Sequence, residues 1–252
     1  MSQYACSDFH GRYDLAKLAI SHLEPDDHLF YLGDAIDRGP RSLDALNLLI
    51  NHPQVTFLLG NHEDMMLKVM TRRETDIVKI DCYQYSHVEA EQVWYNNGGT
   101  PTAEELINLR ERAPKAFQTL MDKVSNAKRL CTYTNALGQH VVLSHAGFTP
   151  GKLNPDPDQQ LWDRDHIFHG WDISEDWPQG PEFENTIIVH GHTPFWHFSR
   201  NKTLSLSSPY WYCQNHKVCI DCWSAISGLA MMTNLDTWKN ILLKAEDYHH
   251  DL

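Results

Sequence analysis

Over residues 4–70 the apolar positions switch between a strand period and a helix period. Residues 4–6 form a short apolar run that predicts a strand. Residues 13–23 place Leu15, Leu18, Ala19 and Leu23 at helical spacing. Residues 28–32 read as a second strand. Residues 42–50 read as a helix, with Pro40 just before its start. Residues 55–59 predict a third strand and 62–70 another helix. The alternation is β-α-β-α-β, which implies parallel strands joined by right-handed crossovers. Ligands of such sheets gather at the carboxyl ends of the strands.

Residues 71–126 change character. They are charged, helical in pattern and interrupted by Asn96-Asn97-Gly98-Gly99-Thr100-Pro101, so the expectation is a mostly helical insertion. Strands return at 128–133 and 139–143 around a turn. Residues 147–181 are rich in Pro, Asp and Trp and predict a long functional loop. Residues 186–189, 218–220, 228–234 and 238–243 predict further strands, the last two as a hairpin. This second half is too β-rich for a doubly wound sheet. An α/β fold of two packed central sheets flanked by helices fits better. The whole chain, 1–252, is expected to be one domain with the insertion at about 71–126.

Composition narrows the function. A hydrophobic fraction of 42% and a charged fraction of 21% suit a globular enzyme. No apolar run approaches the ~20 residues that span a bilayer. The start, Met1 to Asp8, leaves no room for a signal peptide, and the six cysteines are not spaced as a disulfide framework. Reduced thiols and a cytoplasmic location are expected. A net charge of −12 argues against a nucleic-acid partner but not against a phosphate substrate, because bound cations set the local field. The 16 histidines agree with metal chemistry, although His22, His28, His52 and His87 are expected at the solvated surface.

Five polar motifs follow apolar runs: Asp8-Phe9-His10-Gly11, Gly33-Asp34-Ala35-Ile36-Asp37-Arg38-Gly39, Gly60-Asn61-His62-Glu63, Ser144-His145-Ala146-Gly147 and His190-Gly191-His192-Thr193-Pro194. In extended chain Asp8 and His10 project to one side and could face one cation. The plainer reading is a turn with Asp8 as a helix cap, and the motif alone decides nothing. Asp34 has two oxygens and could bridge two cations, or could cap a helix. Asn61 offers a neutral carbonyl oxygen. His145 and His192 offer imidazoles, and a lone buried histidine is more often simply hydrogen-bonded.

The five motifs in this order resemble the signature of the phosphoprotein phosphatase family, within the calcineurin-like metallophosphoesterase superfamily. The short second half resembles that family's bacterial and phage, lambda-phosphatase-like branch. The resemblance runs from about Tyr4 to about Leu243. It implies the α/β/β/α sandwich and two divalent metal ions, manganese first, with iron, zinc or cobalt also accepted. It implies Asp8, His10 and bridging Asp34 on one metal, and Asp34, Asn61, His145 and His192 on the other. His190 matches no ligand and is expected to pack or hydrogen-bond nearby. His62 is implied as the general acid, with Asp37 fixing its tautomer and holding up its pKa. Arg38 and Asn61 would meet the substrate phosphate. Arg164, in Leu161-Trp162-Asp163-Arg164, is similar to the family's second phosphate clamp, although an ordinary surface arginine is the plainer alternative.

The implied reaction is metal-dependent hydrolysis of phosphoserine or phosphothreonine in proteins, with phosphotyrosine also open, by direct attack of a hydroxide bridging the two metals. Phosphoproteins or phosphopeptides are the expected partners, with no nucleic acid and no membrane. The rival enzyme is a symmetrical dinucleoside tetraphosphate hydrolase, whose patterns resemble G-D-x-x-A-R-G and G-N-H-D; here Asp37 and Glu63 stand at the differing positions. A non-catalytic scaffold on the same fold is the rival of another class, and the intact ligand set speaks against it. Residues 94–100 are expected to roof the approach to the site, with Arg72 and Arg73 solvated. Cys213, His216, Cys219 and Cys222 suggest a zinc knuckle. However, 218–222 reads as a strand that would turn Cys219 and Cys222 to opposite faces, with Asp221 at a position the family shares, so buried thiols are expected instead.

Overall fold

The structure is a computed structural model that describes residues 1–147, 159–164, 180–195, 209–212 and 215–245. Most of the loop expected at 147–181 lies outside these residues, as does Cys213. The first three strands are β1 (Gln3–Cys6), β2 (His28–Tyr31) and β3 (Val55–Phe57), and the helices between and after them are α1 (Tyr13–Ser21), α2 (Ser42–Asn51) and α3 (Asn61–Met70). β1 pairs parallel with β2, and β2 with β3. The expected β-α-β-α-β unit is therefore present.

Residues 77–86 form an antiparallel hairpin of β4 (Ile77–Ile80) and β5 (Tyr83–Ser86). The remainder up to residue 125 is helical: α4 (His87–Trp94), a wide turn at Tyr95–Gly99, α5 (Thr100–Arg112) and α6 (Pro114–Ser125). α4 starts where Ser86 and Glu89 form a reciprocal cap. Then come β6 (Leu130–Thr134), β7 (His140–Ser144), the short helix α7 (Gln159–Trp162), the single turn α8 (Pro181–Glu184), β8 (Thr186–His190), β9 (Tyr210–Tyr212), β10 (Lys217–Cys219), the single turn α9 (Ser224–Ser227), β11 (Leu229–Asn234) and β12 (Lys239–Lys244).

Two five-stranded sheets result, ordered β12-β11-β1-β2-β3 and β6-β7-β8-β10-β9. The expected hairpin of the last two strands is antiparallel β11–β12. Between the sheets lies an apolar layer to which both contribute, including Ala5, Leu32 and Leu58 from one and Val141, Leu143, Val189 and Val218 from the other. The outer face of the first sheet packs Leu29, Tyr31 and Phe57 against Leu15, Ala45, Leu46, Leu49, Met65 and Met66 of the helices. Each of the Leu, Phe and Met side chains contributes about 1.5–3 kcal/mol when fully buried. This is the layered α/β sandwich that the family resemblance implies.

Three of the four histidines expected at the solvated surface depart from that reading, and of these His52 is half-buried, its Nδ1 accepting from the Gln54 N–H at 3.3 Å. His87 is buried and its Nε2 lies 3.0 Å from the Val69 carbonyl, because α4 docks on the end of α3. His28 is half-buried against Thr56 Oγ1, 2.9 Å away on the neighbouring strand. The strand expected over 218–222 stops at Cys219. The opposite-face argument therefore does not apply to Cys222, although both thiols are buried, and Cys219 Sγ donates to the Thr193 carbonyl at 3.2 Å. His216 Nδ1 lies 2.9 Å from the Thr186 carbonyl.

Tight backbone approach fixes how the first sheet presents its loops. Gly33 has a left-handed φ of 90°, and a Cβ there would strike Gly60 N and Cα and lie 2.9 Å from Leu59 C. Gly138, at φ 76°, faces open space. Gly138→Ala is therefore expected to cost only the left-handed strain of about 1–2 kcal/mol. Gly33→Ala combines that strain with a clash between two loops and is expected to cost at least about 3 kcal/mol. Urea denaturation midpoints of the two variants check this, and equal shifts would contradict the account.

Candidate active site

Six of the sequence-selected residues sit in left-handed backbone: Asp8 (φ 58°), His10 (46°), Asp34 (61°), Asp37 (70°), Arg38 (65°) and His192 (68°). Non-glycine residues held there cost about 1–3 kcal/mol each and concentrate at functional sites. This corrects the extended-chain argument for Asp8 and His10. The strand ends at Cys6, and the two side chains reach one place because the loop coils, not because it alternates.

Backbone hydrogen bonds lock the coil. Asp8, His10 and Gly11 N–H donate to the Gly33, Asp34 and Ala35 carbonyls at 3.1, 2.9 and 2.7 Å, so the first two motif loops zip together. Glu63 secures the second loop to the third. Its fully buried carboxylate accepts the N–H groups of Asp34 and Ala35 at 2.8 Å each and of Gly60 at 3.0 Å. The sheets join across the site. His192 N–H donates to Asp8 Oδ2 at 3.0 Å, and His145 Nδ1 meets the Leu32 carbonyl at 2.7 Å.

Asp34 is the centre. Its ligand-type oxygens belong to two buried groups, His10/Asp34/His62 and Asp34/His145/His192, within each of which the donor atoms lie within 4.8 Å of one another. Asp8 stands beside the first group, with Oδ1 4.0 Å from His10 Nε2 and no hydrogen-bond partner. Its Oδ2 accepts from the Ser7 hydroxyl. Asn61 stands in the second group, its Oδ1 2.8 Å from His145 Nε2 and 3.0 Å from His192 Nδ1. The structure thus brings Asp8, His10, Asp34, Asn61, His145 and His192 together, with His62 closer to the first group than the sequence suggests.

The donor set fits cations. His10 Nδ1 and His145 Nδ1 each donate to a carbonyl, Ile36 at 3.0 Å and Leu32 at 2.7 Å. That leaves each Nε2 as a lone pair facing the site. His145 Nε2 then faces the Asn61 oxygen acceptor to acceptor, which a shared cation satisfies and a hydrogen bond does not. Burial first, and repulsion among carboxylates second, push the Asp8 and Asp34 pKa values well above the usual range. Burial pushes Asp221 up to about 7, and its charge is the one that raises Asp8. Burial holds the His10 imidazole well below its ordinary pKa, and His145 at about 3, so both are neutral donors. Neutral imidazoles and buried carboxylates together make a mixed nitrogen and oxygen donor set that first-row divalent cations accept.

His62 Nδ1 lies 2.6 Å from Asp37 Oδ2, so the expected pair forms. Its expected electrostatic effect does not. Burial, then Arg38 and Arg164, push the His62 pKa well below its ordinary value, while burial raises Asp37 to about 7. Arg38 lies inside the donor cluster, with its guanidinium nitrogens 2.7 Å from His10 Nε2 and 3.0 Å from His62 Nε2. Arg164 Nε donates to His192 Nε2 at 3.0 Å. Both arginines therefore reach the site. His190 is buried, its Nδ1 3.0 Å from the Gly191 carbonyl. Trp94 is fully buried and donates from Nε1 to Asp37 Oδ2 at 2.8 Å. Its contact with the site runs through Asp37. The sequence carries no local signal for this contact, since 57 positions separate the two residues.

Comparison with known proteins agrees with this geometry. The sequence profile of the calcineurin-like phosphoesterase family matches residues 1–223. The chain is 44% identical over 68 residues to serine/threonine-protein phosphatase 2 of Escherichia coli K12, a match covering 26% of this chain and 31% of that protein. It is 32% identical over 158 residues to the symmetrical bis(5'-nucleosyl)-tetraphosphatase of Klebsiella pneumoniae, covering 60% of this chain and 44% of that protein. The chain thus spans less than half the length of either curated relative. A crystal structure provisionally assigned as a diadenosine tetraphosphatase superposes with a TM-score of 0.59 at 16% identity, covering 97% of this chain and 94% of that one. A serine/threonine phosphatase from Saccharomyces cerevisiae superposes with a TM-score of 0.54 at 13% identity, covering 99% and 81%. The two structural likenesses concern the fold alone. The profile match, the sandwich and the paired donor groups lead to one conclusion: the chain belongs to the calcineurin-like phosphoesterase family.

Proposed function

We propose that this chain is a phosphomonoesterase acting on phosphoserine or phosphothreonine in proteins, with phosphotyrosine also accepted, and that manganese is its working metal. The observation that carries the reading is the buried His62–Asp37 pair at 2.6 Å beside the cluster centred on Asp34. Asp8, His10 and Asp34 would hold one cation, and Asp34, Asn61, His145 and His192 the other. When bound, these cations supply Lewis acidity, which activates water and neutralises phosphoryl charge.

The chain's own groups do the rest. Arg38 and Arg164 carry planar forks that match phosphate oxygens. Turning onto a phosphoryl group frees the imidazole nitrogens they now meet. A bound phosphoryl dianion, together with the Asp37 carboxylate, then favours the imidazolium of His62 against the burial that lowers its pKa in the free protein. As water bonds to phosphorus and the ester P–O bond breaks, the Nε2 proton of His62 passes to the departing oxygen, giving alcohol and inorganic phosphate.

Of the two positions that separate this chain from the tetraphosphatase patterns, the weight falls on Asp37. Glu63 is engaged with backbone amides and bears on the scaffold. The second reading, a symmetrical dinucleoside tetraphosphate hydrolase, is favoured by the 158-residue likeness to the Klebsiella enzyme. A protein substrate is preferred because the cationic side chains reaching the cluster, among the described residues, are Arg38 and Arg164. Two forks suit one terminal phosphate better than a chain of four. The membrane plays no part in this reading, and no described helix is long and apolar enough to cross one.

Three outcomes are expected. Asp34→Asn loses most bound metal at both positions, as elemental analysis of the purified variant would show; two equivalents retained per chain would refute the shared role. His62→Asn keeps its metal and lowers kcat by roughly 10²–10⁴ on alkyl phosphates, and by much less on p-nitrophenyl phosphate, whose leaving group scarcely needs a proton. For the wild-type enzyme with manganese, kcat/KM for a phosphoserine peptide exceeds that for diadenosine tetraphosphate by at least about tenfold, or roughly 1.4 kcal/mol. The opposite preference would select the second reading.

A further inference from the structure

We infer that Trp94 is a positioning residue for the acid: its indole N–H pins the Asp37 carboxylate in the orientation that presents Oδ2 to His62. The inference rests on the reading of His62 as the proton donor.

Asp37 Oδ2 accepts two hydrogen bonds, from His62 Nδ1 at 2.6 Å and from Trp94 Nε1 at 2.8 Å. All three residues are buried, at 1% exposure or less. The backbone under Asp37 is held both by α2 and by the insertion, since its N–H donates to Ser42 Oγ at 2.9 Å and to Thr102 Oγ1 at 3.2 Å. The other carboxylate oxygen, Oδ1, has no hydrogen-bond partner. Rotation of the carboxylate is opposed by the two donors on Oδ2, beside the Thr102 hydroxyl, which also favours the charged carboxylate. With the indole donor removed, Oδ2 itself keeps one anchor, and that anchor is the imidazole whose direction is to be fixed.

The indole itself is clamped. A Cβ on Gly99 would meet its Nε1 and lie 2.5 Å from Cδ1 and 2.6 Å from Cε2, so the wide turn at Tyr95–Gly99 closes directly on the ring. The same turn accepts from Arg38, whose N–H donates to the Gly98 carbonyl at 3.0 Å and whose Nε donates to the Asn97 carbonyl at 3.4 Å. One turn of the insertion thus holds the partner of the acid and the base of a phosphate-binding arginine. Interactions that set the angle of a catalytic group act on the rate of the step it serves and not on metal binding.

The test uses the metal-loaded enzyme with a phosphoserine peptide and p-nitrophenyl phosphate. Trp94→Phe keeps the ring and removes the donor. It is expected to keep its metal, to lose between about tenfold and about a hundredfold in kcat on the peptide, and to change little on the aryl ester. In the Asp37→Asn background the same substitution is expected to add no further loss. Equal losses on both esters, loss of metal, or a full-sized effect that persists without the Asp37 carboxylate would overturn the inference. If His62→Asn fell equally on both esters, the acid reading would fail, and the double variant would still decide whether Trp94 acts through Asp37. A check that needs no folded Trp94 variant is the set of indole N–H resonances in zinc-loaded protein. Asp37→Asn is expected to move one of them, and an unchanged set would overturn the inference.

Discussion

The structure turns on the burial of mutually repelling carboxylates. Asp8, Asp34 and Asp221 lie together with at most 2% exposure, and each is pushed toward its neutral form. Burying charge without compensation costs far more than any single contact returns. The surroundings hold the groups in place nonetheless. Glu63 ties the Asp34 loop to the Gly60 turn, the first two loops exchange backbone hydrogen bonds, and the second sheet reaches across through His192 and His145. A scaffold that spends this much order on bringing like charges together implies cations as the missing partners.

This constraint explains the layered architecture around it. Parallel strands β1 to β3 deliver their loops to one edge, and the second sheet delivers His145 and His192 to the same edge. The apolar layer between the sheets fixes their spacing. The insertion adds a third support, at Asp37 and Arg38. Rigid packing of this kind makes left-handed backbone at six site residues tolerable, because no single bond has to carry the strain.

Much of this was legible in the sequence, for identifiable reasons. The first three strands and helices follow plain amphipathic periods with short connections, so their ends lie within a few residues of the pattern. The five motifs follow strands, and the loops after strands do converge. The hairpin at 77–86 was not legible, because its four-residue strands sit in a charged stretch, with Ile77 and Tyr83 exposed. Nor was the route by which Asp8 and His10 meet, since left-handed backbone at non-glycine positions is imposed by neighbouring loops and leaves no local trace. The burial of His87 and the Trp94 contact escape for the same reason: each depends on how α4 docks.

The central claim is that Asp34 is shared by two cations. Anomalous diffraction from crystals of the manganese-loaded protein tests it most directly. The account predicts two peaks ~3.5–4 Å apart, the spacing of two-metal hydrolysis, with an Asp34 carboxylate oxygen between them. A single peak, or two peaks without Asp34 in common, would contradict it.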